Sequence, residues 1–201
     1  MKKLILTILF LNSIIGFSQN EKEKEILIKG TVYSGVNNKP FDYGVYLLFQ
    51  KDHRGTISND KGEFEYSYKL NEKDSLEIIE FSTIGYGTKK VKIDLIKDNL
   101  SNLKIVLNPT NDINKGKAIE DIENGEINIL ISSGIAPVEY KADRKFMKKY
   151  NVNFKDLGCE AIAQESLIEY NKVVFEYLDK KYGNKWRRKI RKDIVGLKKE
   201  N

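Results

Sequence analysis

The chain has 201 residues, of which 40% are hydrophobic and 32% are charged. This composition is too apolar for a disordered chain and too charged for a protein that crosses a membrane many times. A single Cys and a single His exclude an internal disulfide and any site that needs two imidazoles. The formal net charge is +6, and residues 180–201 alone carry ten basic and two acidic side chains. Any argument about charged partners therefore belongs to the C-terminal end.

Residues 1–18 have the pattern of a signal peptide. A positively charged start is followed by an almost wholly apolar run, residues 4–17, and by the small residue Ser18. The apolar run is shorter than the roughly 20 residues that a membrane-spanning helix needs, which disfavours the alternative of an uncleaved anchor. We therefore expect cleavage after Ser18, export of the mature chain, and no transmembrane segment in it.

Residues 25–107 show apolar side chains with a period of two, which predicts β-strands. The clearest alternation lies in residues 63–70. Seven strands are expected, at residues 26–32, 45–49, 55–58, 63–70, 76–82, 91–95 and 103–107. The apolar phase changes at Ile78 and Ile79, which predicts a bulge in the fifth strand.

Turn residues separate these strands. Residues 59–62, with the sequence NDKG, predict a hairpin turn. The alternative of a calcium loop is disfavoured because spaced carboxylates are missing and Lys61 stands among the would-be ligands. Short strands without intervening helices indicate a sandwich or barrel, since a sheet with one apolar face must bury that face.

Short motifs in residues 26–108 carry a family resemblance. In chain order they are IKGTV at 28–32, KPF at 39–41, Val45, GTISNDKGEF at 55–64, DSL at 74–76 and IGY at 84–86. This ordered set resembles the carboxypeptidase regulatory-like domains. The resemblance implies a transthyretin-like, seven-stranded Greek-key β-sandwich without catalytic residues of its own. In that family the domain accompanies peptidases or TonB-dependent outer-membrane receptors, whereas residues 109–201 resemble neither.

The rest of the chain is expected to be mainly helical. Residues 109–126 are polar and predict a linker with a short helix at residues 117–124, stopped by Gly125. Residues 127–201 predict a small basic unit in which one strand, at residues 127–131, precedes helices. The last of these helices is expected to begin at Lys185, after a turn at Gly183. This unit resembles no characterised family.

The residues that carry reactive groups do not form a recognised catalytic motif. Cys159 would need a base, and the only imidazole, His53, lies in the other part of the chain. We therefore expect Cys159 to be a small apolar residue in a helical core and His53 to be a solvated turn residue. No serine-nucleophile elbow or phosphate loop occurs. We expect no catalytic residue, no metal site and no cofactor.

The basic end is the candidate binding site. Its residues are Trp186, Arg187, Arg188, Lys189, Arg191 and Lys192. Aromatic and cationic side chains in this arrangement are suited to an anionic surface or an acidic partner. The alternative is a solvated face whose Trp186 packs inward, because most charge runs have no further role.

These observations predict a non-catalytic, exported binding or scaffolding protein of the cell envelope of a Gram-negative bacterium. It would act in the periplasm, at the cell surface or after secretion. Its partner would be an envelope protein or an anionic envelope surface, not a nucleic acid. Two alternatives stay open: an accessory subunit of a separately encoded outer-membrane receptor or peptidase, and a hydrolase with an unrecognised site.

Overall fold

The computed structural model describes residues 24–70, 75–136 and 138–197. The expected signal peptide, residues 1–18, lies outside the described residues, as do the last four residues of the basic tail. The described part of the chain is rich in β-structure and also contains three α-helices. A β-sandwich accompanied by helices is thus the observed fold class.

Strands form at each of the seven segments with two-residue alternation. They are β1 (Lys24–Ser34), β2 (Tyr46–Phe49), β3 (Arg54–Ile57), β4 (Glu63–Leu70), β5 (Leu76–Ser82), β6 (Lys89–Asp94) and β7 (Leu103–Leu107). The described residues contain nine strands in all, because two further strands, β8 (Asn128–Ile131) and β9 (Asn153–Asp156), pair in a separate sheet. Sequence reasoning placed a strand at β8 but missed β9.

The first seven strands form two sheets that enclose one core. One sheet has the order β4-β1-β7 and the other has the order β3-β2-β5-β6. Strand β1 pairs antiparallel with β4 and parallel with β7. Phe64 of the first sheet and Phe81 of the second meet between the sheets, with ring centroids 5.6 Å apart. Burial of the inward-facing apolar row of each sheet holds the two together.

The predicted bulge in β5 is wrong. The register of β5 against β6 runs without interruption from Leu76 to Phe81. Glu77 occupies an inward-facing position and is fully buried. Its carboxylate accepts hydrogen bonds from Tyr68 Oη at 2.8 Å and from the backbone N–H groups of Lys51 at 3.1 Å and Ile78 at 2.7 Å. Because this inward-facing position carries a charged residue, the alternation of apolar residues in the sequence is interrupted there, although the strand itself is regular.

The predicted hairpin at residues 59–62 is a crossover between sheets. Strands β3 and β4, which flank it, belong to different sheets. The loop is closed locally, because Asn59 Oδ1 accepts hydrogen bonds from the backbone N–H groups of Lys61 and Glu63, each at 2.9 Å. Gly62 has a φ of +69°, a value that favours glycine. The sequence therefore predicted the position of the turn correctly, but turn residues do not determine which sheet the next strand joins.

The C-terminal part has its own core. It contains α1 (Lys115–Glu123), α2 (Lys141–Tyr150), α3 (Gln164–Tyr182) and a 3₁₀-helix (Asn184–Arg188), besides the parallel strands β8 and β9. Trp186, Tyr170 and Ile129 are among its most deeply buried side chains. Asn171 on α3 is fully buried and fixes β8, because its side chain bonds Leu130 N at 2.8 Å and Leu130 O at 3.0 Å.

Several expectations about this part need correction. The helix expected at residues 117–124 forms as α1 (Lys115–Glu123), but its Ala118 packs in the C-terminal core, so this part of residues 109–126 is not a free linker. The expected last helix is only the short 3₁₀-helix, followed by turns up to residue 197. Cys159 lies exposed in a turn, not in a helical core.

The two parts of the chain pack against each other at the start of α3. Ala163, which immediately precedes α3, is fully buried in the sandwich core. Gly85, in the turn after β5, lies directly against it. Tyr43 Oη donates toward both carboxylate oxygens of Glu165 at 3.3 Å. The IGY motif at residues 84–86 therefore serves as an intramolecular docking point.

Candidate anion-binding site

Trp186, the aromatic residue of the predicted site, lies inside the protein. Its side chain is fully buried, and its ring centroid is 5.4 Å from that of Phe175. Its Nε1 donates a hydrogen bond to Asp179 Oδ1 at 2.9 Å. A buried indole whose N–H already has a partner is not offered to a ligand. The structure thus agrees with the alternative interpretation of the sequence, in which Trp186 packs inward and does not bind a partner.

Arg187 covers Trp186. Its Nε and Nη2 donate to the two carboxylate oxygens of Asp179 at 3.1 Å and 2.7 Å, and its Cζ lies 4.9 Å from the Trp186 ring centroid. These hydrogen bonds from Arg187 hold the pKa of Asp179 below its usual value. The guanidinium is therefore engaged in a bidentate pair and in packing, not free for an external anion.

Arg191 is enclosed still further, with a side chain only 7% exposed. It donates two hydrogen bonds to Asp193 at 2.7 Å and one to Asp143 at 3.2 Å. The Asp193 bond is the main cause of a raised pKa at Arg191 and of a lowered pKa at Asp193. Arg191 thus ties the tail to the first turn of α2.

The other predicted residues, Arg188, Lys189 and Lys192, face solvent. The structure does not gather the six predicted residues into one surface. It brings Lys189 together with side chains that sequence reasoning did not select.

Lys189 lines an open depression on the C-terminal part, with a volume of about 310 Å³. The lining residues, which we call the lysine depression, are Ala142, Lys145, Phe146, Lys149, Tyr150 and Lys189. Phe146 and Tyr150 are buried and pack on each other with ring centroids 4.7 Å apart, so they supply an aromatic floor. The three lysines are exposed around it.

The lysine depression has a strong positive character. Within the described residues, Lys145, Lys149 and Lys189 form no salt bridge, and Lys149 Nζ lies 5.6 Å from the Tyr150 ring centroid. Three ammonium groups with one sign of charge around a concave surface raise the local concentration of anions. The apolar floor beneath them suits an anionic group attached to an apolar body.

A signal for this site is visible in the sequence. Lys145 and Lys149 are four residues apart, as are Phe146 and Tyr150, so α2 presents both pairs on adjacent lines of one face. What the sequence does not show is that Lys189, forty residues later, comes back to this face.

The described residues do not assemble a recognised catalytic or metal site. Among them, no group of three or more His, Cys, Asp or Glu side chains is placed to hold a metal ion. Cys159 and His53 form no hydrogen bond with each other. None of the described helices is both long enough and apolar enough to span a bilayer.

Comparisons with known proteins do not identify a family for this chain. No protein-family model matches the chain, and no curated protein matches it. Among solved structures, one similar chain comes from the crystal structure of an interface mutant of a type II cohesin–X-dockerin complex from Acetivibrio cellulolyticus. It has a TM-score of 0.35 at 9% sequence identity, and the match covers 73% of this chain and 93% of that one. A likeness this weak does not define a family, and the resemblance to carboxypeptidase regulatory-like domains stays a prediction.

Proposed function

We propose that the protein is a non-catalytic, exported module of the cell envelope that binds an anionic envelope surface through the lysine depression. The surface would be one of phosphate-bearing lipid headgroups or lipopolysaccharide. In this proposal the sandwich is a transthyretin-like Greek-key platform, and the C-terminal part is the binding unit.

The single observation that carries the proposal is the convergence of three exposed lysines over a buried aromatic floor. Lys145 and Lys149 come from α2, whereas Lys189 comes from the tail. Arg191 holds the tail on α2 through its hydrogen bond to Asp143 at 3.2 Å. The enclosed arginine is thus a positioning residue, and the exposed lysines are the binding groups.

The platform role rests on how the two parts are joined. Ala163 is buried in the sandwich core, and Tyr43 is hydrogen-bonded to Glu165. A contact of this kind orients the lysine depression relative to the sandwich. The sheet orders β4-β1-β7 and β3-β2-β5-β6 and the ordered motifs of residues 28–86 support a transthyretin-like topology.

The lysines are expected to supply most of the affinity. A basic side chain close to an anionic membrane surface contributes about 1 kcal/mol, so the loss of three should weaken surface binding by about 3 kcal/mol, or roughly a hundredfold.

Fractionation of cells tests the proposal. The variant in which Lys145, Lys149 and Lys189 are all changed to Gln should leave the envelope fraction and appear in the soluble fraction. A matched control changes Lys39, Lys61 and Lys104, which are exposed on the sandwich, to Gln with the same change of charge. If both triple variants fractionate like the wild type, the lysine depression is not the binding site.

A further inference from the structure

The segment between β8 and α2 exposes three apolar side chains, which we call the apolar loop. Ile135 is 94% exposed, the largest value among the large apolar side chains of the described residues. Val138 and Tyr140 are 51% and 47% exposed. Single apolar residues are common at protein surfaces, but three within six positions concentrate apolar area in one place. An apolar surface of this kind marks a contact with a protein or with a membrane.

The apolar loop is held at both ends. At its start, Gly134 N donates a hydrogen bond to Gly158 O at 3.2 Å. At its end, Tyr140 N donates to Asp143 Oδ2 at 3.1 Å, and Arg191 Cζ lies 4.8 Å from the Tyr140 ring centroid. The apolar side chains are therefore carried on an anchored base.

The apolar loop leads directly into a helix whose exposed face is basic. The exposed cations of α2 are Lys141, Arg144, Lys145, Lys148 and Lys149. Three of them, at positions 141, 145 and 149, repeat every four residues and so form one line along the helix, beginning beside Tyr140. Five residues of extended chain span at most about 17 Å, so Ile135 lies within that distance of Tyr140.

The acidic groups of this region each have a cation beside them. Glu139, in the apolar loop, is exposed, and its Oε2 lies 3.9 Å from Arg144 Nη2. Asp143, the acidic residue of α2, is buried and accepts a hydrogen bond from Arg191 at 3.2 Å. The surface thus combines a basic helix face with an adjoining apolar loop, which are the two features that hold a peripheral protein on a membrane.

We propose that the apolar loop inserts into the edge of the acyl-chain layer of an anionic phospholipid bilayer, an inference that rests on the proposed envelope function. Ile135 and Val138 enter the apolar layer, while the lysines of α2 lie among the lipid phosphates. Tyr140 lies at headgroup level, where an aromatic ring with a polar tip is favoured. The partner is a bilayer, because a soluble phosphate would leave the apolar loop in water.

The charge around the apolar loop disfavours a second copy of the chain as its partner. Two copies that met at this loop would bring two basic α2 helices together, and like charges oppose such an association. An anionic bilayer offers opposite charge to α2 and an apolar layer to Ile135 and Val138 in one surface. Salt screens the contribution of the lysines but not that of the apolar side chains.

Fluorescence quenching by phospholipids that are brominated on their acyl chains tests the insertion. Trp186 is the single tryptophan of the chain and is fully buried, so the wild-type protein supplies the unquenched background. Ile135→Trp should be quenched when the protein binds anionic vesicles. Ile96→Trp, at a position of the sandwich that is 60% exposed, should not be quenched. An Ile135→Trp protein that sediments with the vesicles but is not quenched overturns the insertion and leaves the proposed function standing.

The double variant Ile135→Ser, Val138→Ser adds a test of affinity. Both positions are exposed, so this variant should keep the wild-type unfolding transition. Its affinity for anionic vesicles should fall about tenfold, and this ratio to the wild type should persist at raised salt. The matched control Ile57→Ser, Ile96→Ser, which is exposed on the sandwich, should bind like the wild type.

Three results would overturn the proposal. Wild-type affinity in the Ile135→Ser, Val138→Ser variant is the result expected if the apolar loop contacts a protein instead. An equal loss in the control variant would show that the effect does not belong to the loop. Absence of vesicle binding by the wild-type protein would overturn the proposed function as well, so the two failures are distinguishable.

Discussion

Gly85 lies so close to Ala163 that a Cβ added to the glycine would be 2.2 Å from the Ala163 backbone nitrogen and 2.7 Å from its Cα. Gly85 also has a φ of +80°. This contact joins the sandwich to the start of α3. It needs glycine for two separate reasons, the close approach and the left-handed backbone.

The Gly85→Ala variant should therefore be strongly destabilised. The backbone conformation costs about 1–2 kcal/mol, and the overpacking against Ala163 adds about 1–3 kcal/mol. Gly125→Ala is the matched control, because Gly125 has a φ of +81° but nothing within 4 Å of the added Cβ. Urea unfolding should show a larger loss for Gly85→Ala. Equal losses would mean that the contact with Ala163 contributes nothing.

Substitution of the buried Asn171 should also lower the free energy of unfolding strongly. It bonds Leu130 N, Leu130 O and, at 3.1 Å, Val195 O. Asn171→Leu leaves these backbone groups unpaired, at a cost of about 3 kcal/mol. Glu176→Leu, at an exposed position of the same helix, should change the free energy of unfolding by less than about 0.5 kcal/mol. A small effect of Asn171→Leu in urea unfolding would show that β8 does not depend on this side chain.

Substitutions of Arg187 and Lys189 should distinguish a residue that stabilises the fold from one that is free to bind a partner. Arg187→Gln breaks the bidentate pair with Asp179 and uncovers Trp186, so it should lower the free energy of unfolding by about 1–2 kcal/mol. Lys189→Gln should leave stability unchanged, because Lys189 is exposed and forms no salt bridge with described residues. The measurement is thermal or urea unfolding of both variants. Equal stability of the two would contradict a structural role for Arg187.

Stability should fall steeply at alkaline pH. Burial is the main cause of raised pKa values at Tyr43, Tyr86 and Tyr170, and it raises the pKa of Tyr66 to about 12. In the unfolded chain the phenols have their ordinary pKa of 10.0, so the folded state binds more protons above that pH. The resulting stability is complete below pH 10 and is lost as pH rises toward the folded-state values.

Urea unfolding at about pH 9 and about pH 11 measures this loss. Tyr43→Phe removes one of the titrating groups and should make the decrease shallower. A free energy of unfolding that does not change over this range would show that these phenols ionise normally in the folded protein.

The strands of the sandwich were predictable because two-residue alternation is a local property of the sequence. The burial of the charged Glu77 in this alternating pattern was not predictable, since its hydrogen-bond donor Tyr68 comes from β4, in the opposite sheet. A buried carboxylate satisfied from across the core has the same sequence signature as a bulge. The turn at residues 59–62 was likewise found, but the change of sheet was not.

In the tail, by contrast, the sequence pattern predicted a regular helix that the structure does not contain. The spacing of Trp186, Ile190 and Ile194 fits a helix, and all three are indeed buried. The backbone instead turns after the 3₁₀-helix Asn184–Arg188, and Arg191 bonds to Asp143 of α2. An ion pair between residues forty-eight positions apart is invisible in the local pattern. The same fold-back creates the lysine depression, which is why sequence reasoning found Lys189 but neither Lys145 nor Lys149.

The most direct measurement is co-sedimentation of the purified protein with vesicles of anionic phospholipid at several salt concentrations. Wild-type protein and the control with Lys39, Lys61 and Lys104 changed to Gln should sediment alike, and binding should weaken as salt rises. The variant with Lys145, Lys149 and Lys189 changed to Gln should bind about a hundredfold more weakly. Sedimentation of this variant at the wild-type level, or equal binding of the wild type to neutral vesicles, would contradict an anion-binding role for the depression.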